Sequence, residues 1–211
     1  MNNRIVGAIL AGGKSRRMGQ NKALLSFHGK PLIQHATELM QKIFSQVLVV
    51  CWNRQQYEFL EIPTIVDKIP NCGPLGGIHA ALSEVNNRPV FVLACDLPFV
   101  TQALIRYIVN FPVYTDFDTT GSENLNEMPL AKIPTCQKRL QPLVGLYYPG
   151  VLPIIEQQMT QYQLQIECFL QNIATIEVPI SSQQSFYNNR IFCNVNTPQD
   201  YQRTVVDKDM T

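Results

Sequence analysis

Four short runs of apolar, largely β-branched residues constrain this chain more than any other feature: Arg4 to Leu10, Val47 to Trp52, Thr64 to Asp67 and Val90 to Ala94. Each suits a strand, is short for a helix, and is apolar at consecutive positions, the mark of strands covered on both faces. Helical patterns separate them. Pro31 can open a helix reaching about Phe44, with Leu32, His35, Ala36, Leu39, Met40 and Ile43 on one stripe at 3.6-residue spacing. A second helix is expected from Gly76 to about Val85, and a third from Thr101, a suitable N-cap, to about Val109. Strand and helix alternating in this way predict an α/β fold with a parallel sheet between helical layers.

The second half is less regular and rich in glutamine. Pro112 to Tyr148 reads as strand segments around a polar stretch, Thr115 to Asn126, expected to be a loop because it has little to bury. Pro149 to Met159 and Leu164 to Leu170 look helical, Thr197-Pro198 starts a further helix, and Asp207 to Thr211 is expected to fray. With 211 residues, 45% hydrophobic and 16% charged, the chain can fill a substantial core, so one domain is expected, with a regular lobe to about residue 110 and an irregular lobe from about 111.

The first run ends in chemistry. After Leu10 the chain turns through Ala11, Gly12 and Gly13 and then places Lys14, Arg16, Arg17 and Lys22 within ten residues. Glycines let the backbone approach a ligand and aim N–H groups at anionic oxygens, and the cations supply charge, so the turn is suited to the phosphates of a nucleoside triphosphate. Two commoner phosphate loops do not fit. A Walker loop places a glycine five residues before the Gly of Gly-Lys-Ser, but Ala8 stands there before Gly13-Lys14-Ser15. The dinucleotide fingerprint Gly-x-Gly-x-x-Gly fails as well, because Gly12 and Gly13 are adjacent and Gly19 follows six residues later.

Composition excludes other classes. Seventeen basic against sixteen acidic residues give a net charge of +1, so no global field favours nucleic acid or an anionic membrane. Six cysteines lie more than twenty positions apart with no C-x-x-C pair, against a zinc or redox motif, and most are expected to be buried thiols. No apolar signal core opens the chain and no segment reaches the roughly twenty apolar residues of a membrane span; a soluble, cytoplasmic protein is the expectation.

The pattern L-A-G-G-x-S-x-R-M-G-x-x-K, here Leu10, Ala11, Gly12, Gly13, Ser15, Arg17, Met18, Gly19 and Lys22, resembles the nucleotidyltransferases of cofactor and sugar-nucleotide synthesis. Within them the chain is most similar to the molybdenum cofactor guanylyltransferases. GKPLIQH from Gly29, GPLGGIHAAL from Gly73, LACDLPFV from Leu93 and NVNTPQDY from Asn194 agree in order, extending the resemblance over nearly the whole chain. It implies a three-layer, Rossmann-like nucleotidyltransferase fold with a mostly parallel sheet and a smaller, irregular acceptor lobe. It also implies transfer of GMP from GTP to the terminal phosphate of molybdopterin, the molybdenum cofactor, releasing pyrophosphate, with Mg2+ as cofactor. Other cofactor-biosynthesis proteins and molybdoenzymes come with it as candidate partners. A cytidylyl or sugar-phosphate transferase, or a regulator that only binds nucleotide, would use the same motifs; Gly13 favours guanine, since cytidylyl relatives tend to have alanine there.

The resemblance distributes roles over this sequence. Lys22, Asp96 and Arg17 are the catalytic candidates, and Leu10, Ala11, Gly12, Gly13, Lys22, Asp67, Gly73 and Asp96 the nucleotide contacts. Gly77, Arg139, Asn194 and Asn196 are the acceptor contacts. Asp96 closes VFVLACDLP at a strand end, where it is either the magnesium ligand, since a hard cation often takes one or two carboxylates beside water and phosphate oxygens, or only an N-cap or turn aspartate. Asp67 closes TIVDK and could accept from guanine N1–H and N2–H, bind ribose hydroxyls, or merely be a solvated turn. Gly73, Gly76 and Gly77 either let backbone approach substrate or only make a turn. Asn194, Asn196 and Thr197 position acceptor or metal, or only cap a helix. Two departures stand out: Asn21 where the family often has an acid, and Cys51, with Asn53 beyond it, where some members have an asparagine near the base. His28, His35 and His79, lacking metal-ligand spacing, read as structural.

Overall fold

The computed structural model describes residues 1–12, 20–67, 69, 71–113 and 129–206. From the N-terminus run β1 (Val6–Leu10), a small hairpin of β2 (Ser26–Phe27) and β3 (Lys30–Pro31), α1 (Leu32–Gln41), β4 (Val47–Cys51), β5 (Thr64–Val66), α2 (Gly73–Glu84), β6 (Val90–Ala94) and α3 (Gln102–Asn110). After them come β7 (Ala131–Cys136), β8 (Arg139–Leu140), β9 (Val144–Tyr147), α4 (Leu152–Thr160), α5 (Ile166–Gln171), β10 (Thr175–Pro179) and α6 (Pro198–Val206). The expected loop from Thr115 to Asn126 and the expected frayed end lie outside the described residues, as do Gly13, Lys14, Arg16 and Arg17.

One sheet of order β10-β7-β9-β6-β1-β4-β5, with β8 on the side of β7, spans both halves of the sequence. β1 pairs in parallel with β4 and β6, β4 with β5 and β7 with β10, while β9 runs antiparallel between β6 and β7. Six strands therefore share one direction, and β8 and β9 oppose it. The continuous apolar runs are explained by cover on both faces. Ile5 and Ile9 point into a cluster with Ala36 and Met40 of α1 and Leu104, Ile105 and Ile108 of α3. Val6 and Ala8 point into the opposite cluster, with Leu75 and Ile78 of α2, Ile155 of α4 and Phe169 of α5. Gly7 lets α1 pack close, since a Cβ there would stand 2.9 Å from the Met40 Cε.

Thr101 caps α3 as expected, its hydroxyl accepting from the Leu104 N–H at 3.2 Å. α2 begins three residues earlier than expected, at Gly73, because Pro74 sits in the first turn, where its missing N–H costs nothing. β10 was not foreseen. Cys51, Cys72 and Cys95 are buried, Cys136 is half-buried, and Cys168 and Cys193 are exposed, so burial covers half the thiols rather than most; none of the six is in a disulfide. The histidines serve packing and turns: His35 Nε2 lies 2.5 Å from the Phe27 carbonyl, His79 Nε2 lies 3.3 Å from a Glu156 oxygen, and His28 occupies the β2–β3 turn with φ of 47°. Among the described residues no helix is long and apolar enough to cross a membrane.

Candidate active site

Strand order reverses beside β1, where the chain goes from β1 to β4 on one side and later to β6 on the other; such a switch point opens a crevice at the carboxyl ends of the strands. The ends are held flush. Ala11 N–H donates to the Val50 carbonyl (2.8 Å), Cys95 N–H to that of Leu10 (3.2 Å), and Asp67 N–H to that of Cys51 (3.0 Å). Above them opens a cavity of about 450 Å³ whose walls include Leu10, Ala11, Gly12, Lys22, Trp52, Asp67, Gly73, Gly77 and Asp96. The volume suits a small-molecule ligand of nucleotide size.

Its charged end is built from three distant parts of the chain. Lys22 begins a 3-10 turn, Lys22–Leu24, whose N-cap is Asn21: the Asn21 Oδ1 accepts from Ala23 N–H at 3.1 Å. The other end of that amide donates to Gln56 Oε1 (2.8 Å) and the Tyr57 hydroxyl (2.9 Å), and Tyr57 donates to the Ala11 carbonyl (3.4 Å). Asn21 thus fastens the lysine turn to the wall beside Ala11 and Gly12. Burial pushes the Tyr57 phenol up to about 12, so it remains a neutral donor. From this turn Lys22 Nζ reaches Asp96 Oδ2 and, at 3.1 Å, Asn196 Oδ1. Asp96 is buried, one residue past Cys95, whose thiol burial pushes up to about 12 and so keeps protonated.

The C-terminal segment is pinned over this end. Val195 N–H donates to the Asp96 carbonyl at 2.9 Å, and Val195 packs with Leu25, Phe27 and Leu32. Asp200 Oδ2 accepts from the N–H groups of Asn196 (3.2 Å) and Thr197 (2.9 Å), while Thr197 Oγ1 accepts from Asp200 N–H (3.1 Å), a reciprocal cap at the start of α6. The cap therefore explains Thr197 and leaves the Asn196 amide aimed at Lys22. The Thr197 hydroxyl beside it holds the Asp200 carboxyl below its usual range.

At the opposite end Asp67, buried, accepts from Ile69 N–H at 3.1 Å. Burial raises its pKa above the ordinary 3.8, against the opposing pull of that N–H and of His79. Gly76 makes room for it: a Cβ there would stand 2.7 Å from Asp67 Oδ2. Gly77 lies under Leu10, where a Cβ would stand 3.1 Å from Cδ2.

Leu10, Ala11, Gly12, Lys22, Asp67, Gly73, Gly77 and Asp96 thus share one cavity, which Asn196 joins through Lys22. Gly77, expected on the acceptor side, borders the same space as the nucleotide candidates. Arg139 is exposed on β8 and Asn194 is exposed before Val195; neither is in the cavity wall. Gly13 and Arg17 lie outside the described residues. Among the lining residues outside the sequence motifs are Trp52, which donates its indole N–H to the Gly12 carbonyl, and Asn71, in left-handed backbone (φ 66°) before α2. The available signal was weak: Trp52 is the one tryptophan and directly follows β4.

A mostly parallel sheet whose switch-point crevice joins a glycine turn, a lysine and a strand-end aspartate defines the nucleotidyltransferase class of α/β proteins. The chain belongs to the MobA-like NTP transferase domain family, whose model matches residues 7–171. It is 32% identical over 197 residues to a probable molybdenum cofactor guanylyltransferase of Carboxydothermus hydrogenoformans, covering 93% of this chain and 92% of that one. It is 30% identical to the molybdenum cofactor guanylyltransferase of Syntrophotalea carbinolica, over 92% and 88% of the two chains. The crystal structure of molybdopterin-guanine dinucleotide biosynthesis protein A from Archaeoglobus fulgidus superposes with a TM-score of 0.75 at 27% identity, over 96% of this chain and 97% of that one.

Proposed function

We propose that the protein transfers GMP from GTP to the terminal phosphate of molybdopterin. An oxygen of that phosphate attacks the α-phosphorus of GTP; the bond from α-phosphorus to the bridging oxygen breaks, and its electron pair leaves with pyrophosphate. The product is molybdopterin guanine dinucleotide. One observation carries the reading: Lys22, Asp96 and Asn196, from three separate stretches of sequence, converge at the end of β1 beside the glycine turn.

The donor set there fits magnesium. Asp96 Oδ2 and Asn196 Oδ1 are hard oxygens already gathered around one cationic centre, the Lys22 ammonium, and among the described residues no cluster of three His, Cys, Asp or Glu offers a competing site. Asp96 would hold the metal, which when bound supplies positive charge to the triphosphate. Lys22 binds phosphate oxygens and offsets charge growing on the departing pyrophosphate. Gly12, without a side chain, lets the backbone approach the triphosphate, and the buried wall of β1 and β6 excludes water. The attacking phosphate is already an anion at neutral pH, so positioning and electrostatics suffice without a general base. Cysteines that form no disulfide suit a reducing compartment, the cytoplasm.

The test is pyrophosphate release from purified protein given GTP, magnesium and molybdopterin, with CTP and ATP as alternatives and EDTA as the metal-free control. Release is expected with GTP, dependent on acceptor and abolished by EDTA. Absence of release with any nucleotide would leave a binding protein, and preference for CTP would overturn the guanylyl assignment.

A further inference from the structure

We propose that Trp52 is the platform on which the nucleobase stacks, a positioning residue that supplies base affinity without base selectivity. The inference rests on the nucleotidyltransferase reading and goes beyond it by assigning a residue that the sequence motifs leave unassigned.

Three residues end β4 or directly follow it, and two of them are committed elsewhere. Cys51 is fully buried, its thiol pushed up by that burial, and it is not in the cavity wall. Asn53 caps the 3-10 helix Arg54–Leu60, its Oδ1 accepting from Gln55 N–H at 3.0 Å. Trp52 alone of the three borders the cavity, where it is 37% exposed.

The orientation of the indole is fixed by the turn that should hold the phosphates. Its N–H donates to the Gly12 carbonyl, and a Cβ at residue 12 would lie 3.2 Å from Nε1, a tight contact that glycine avoids. With its polar atom satisfied by backbone, the indole presents the cavity with an apolar aromatic surface, which suits a flat heteroaromatic ring. Strand order divides the cavity accordingly: Asp96, just past β6 and bonded to Lys22, is separated by β1 from Trp52, which follows β4, and from Asp67, which follows β5. A nucleotide whose phosphates lie at the cationic end extends its base toward Trp52.

Stacking tolerates every base, because each has a π-face. Selectivity then belongs to a group that meets the base edge, and the Asp67 carboxylate is the acceptor available at that end. This division of labour separates Trp52 from a residue that merely supports the wall.

The lone tryptophan reports on its own contact. Calorimetry with GTP, ATP and CTP on the wild type, Trp52→Phe and Trp52→Ala should show Trp52→Ala weakening all three by a similar factor, on the order of tenfold, with Trp52→Phe close to wild type. Wild-type tryptophan emission should change with GTP and guanosine and remain unchanged with inorganic triphosphate. If Trp52→Phe is as weak as Trp52→Ala, the residue acts through its N–H on Gly12 and the stack is wrong. An equal response to triphosphate would mean that the turn moves rather than that a base arrives. An emission that changes only on adding molybdopterin would assign the platform to the acceptor. GTP binding with none of the expected signatures overturns this inference alone, whereas no calorimetric GTP binding to the wild type overturns the functional reading and this inference with it.

Discussion

Lys22 and Asp96 are partners, so removing either has unequal consequences. The Asp96 side chain is 8% exposed and that of Lys22 21% exposed, so Lys22→Ala leaves a nearly buried carboxylate without its cation, whereas Asp96→Ala leaves an ammonium that water still reaches. Both should lower turnover about 10² to 10³-fold, roughly 2.7 to 4 kcal/mol of transition-state stabilisation, and Lys22→Ala should also melt at a lower temperature than Asp96→Ala. Pyrophosphate-release assays and thermal melts on the two purified variants check this; near-normal turnover in Asp96→Ala would defeat the metal assignment. Asp67 gives a pH dependence of definite sign. If the ionised carboxylate accepts from the nucleoside, GTP affinity rises as pH climbs through its raised pKa, and the acid loss begins at higher pH than for an ordinary carboxyl. Stability runs the other way: between 3.8 and the raised value the folded state holds more proton than the unfolded, so this group lowers stability as pH rises. Asp67→Asn should flatten both trends, and calorimetric titrations with GTP that keep the acid limb unchanged would assign it to another group. At this scale the sequence was readable where a polar residue interrupts an apolar run at a strand end, as Asp67 and Asp96 do. It was opaque at Trp52, because an aromatic residue that closes such a run looks like more core.

The strands that carry the site were also the legible elements. β1, β4, β5 and β6 are buried runs ending at turn-forming or polar residues, and their ends fall within two residues of the positions expected from composition. β10 escaped notice because it is a sheet-edge strand: Glu177 and Pro179 are exposed, Val178 alone is fully buried, and no continuous apolar run remains to mark it. The start of α2 was obscured by three glycines that read as turn. Two of them have steric duties inside the helix, which leads to a test. Gly76→Ala should favour the helix by up to about 1 kcal/mol through propensity, yet its Cβ would crowd the Asp67 carboxylate that stands 2.7 Å away. The expected result is a thermal midpoint near wild type with GTP binding weakened on the order of tenfold, a separation that calorimetry and melting curves resolve. Unweakened binding would mean that the Asp67 carboxylate can rotate aside without loss, and would remove it from the nucleotide contacts.

Across the whole molecule, long-range closure does what local pattern cannot announce. Asn196 meets Lys22 across 174 positions, and the later strands β7, β9 and β10 extend the sheet begun by β1, so that the two halves share a core rather than face each other. Nothing in the spacing of apolar residues says that β9 enters antiparallel beside β6. Lys132 on β7 shows how tightly the halves are joined. It is 5% exposed, burial lowers its pKa, and its ammonium donates to the carbonyls of Val109 (3.2 Å) and Phe111 (2.6 Å) at the end of α3. A cation at a helix C-terminus completes carbonyls that lack helical partners and meets the negative end of the dipole. Lys132→Met keeps most of the volume but strands those carbonyls, at about 1 to 3 kcal/mol. For a chain of this size each kcal/mol shifts the midpoint by roughly 2 to 4 °C, so a fall of roughly 2 to 12 °C is expected. GTP affinity should be unchanged, because Lys132 is not in the cavity wall. An equal or higher midpoint would show that water or repacking satisfies the α3 terminus, and that the junction between the halves rests on apolar packing alone.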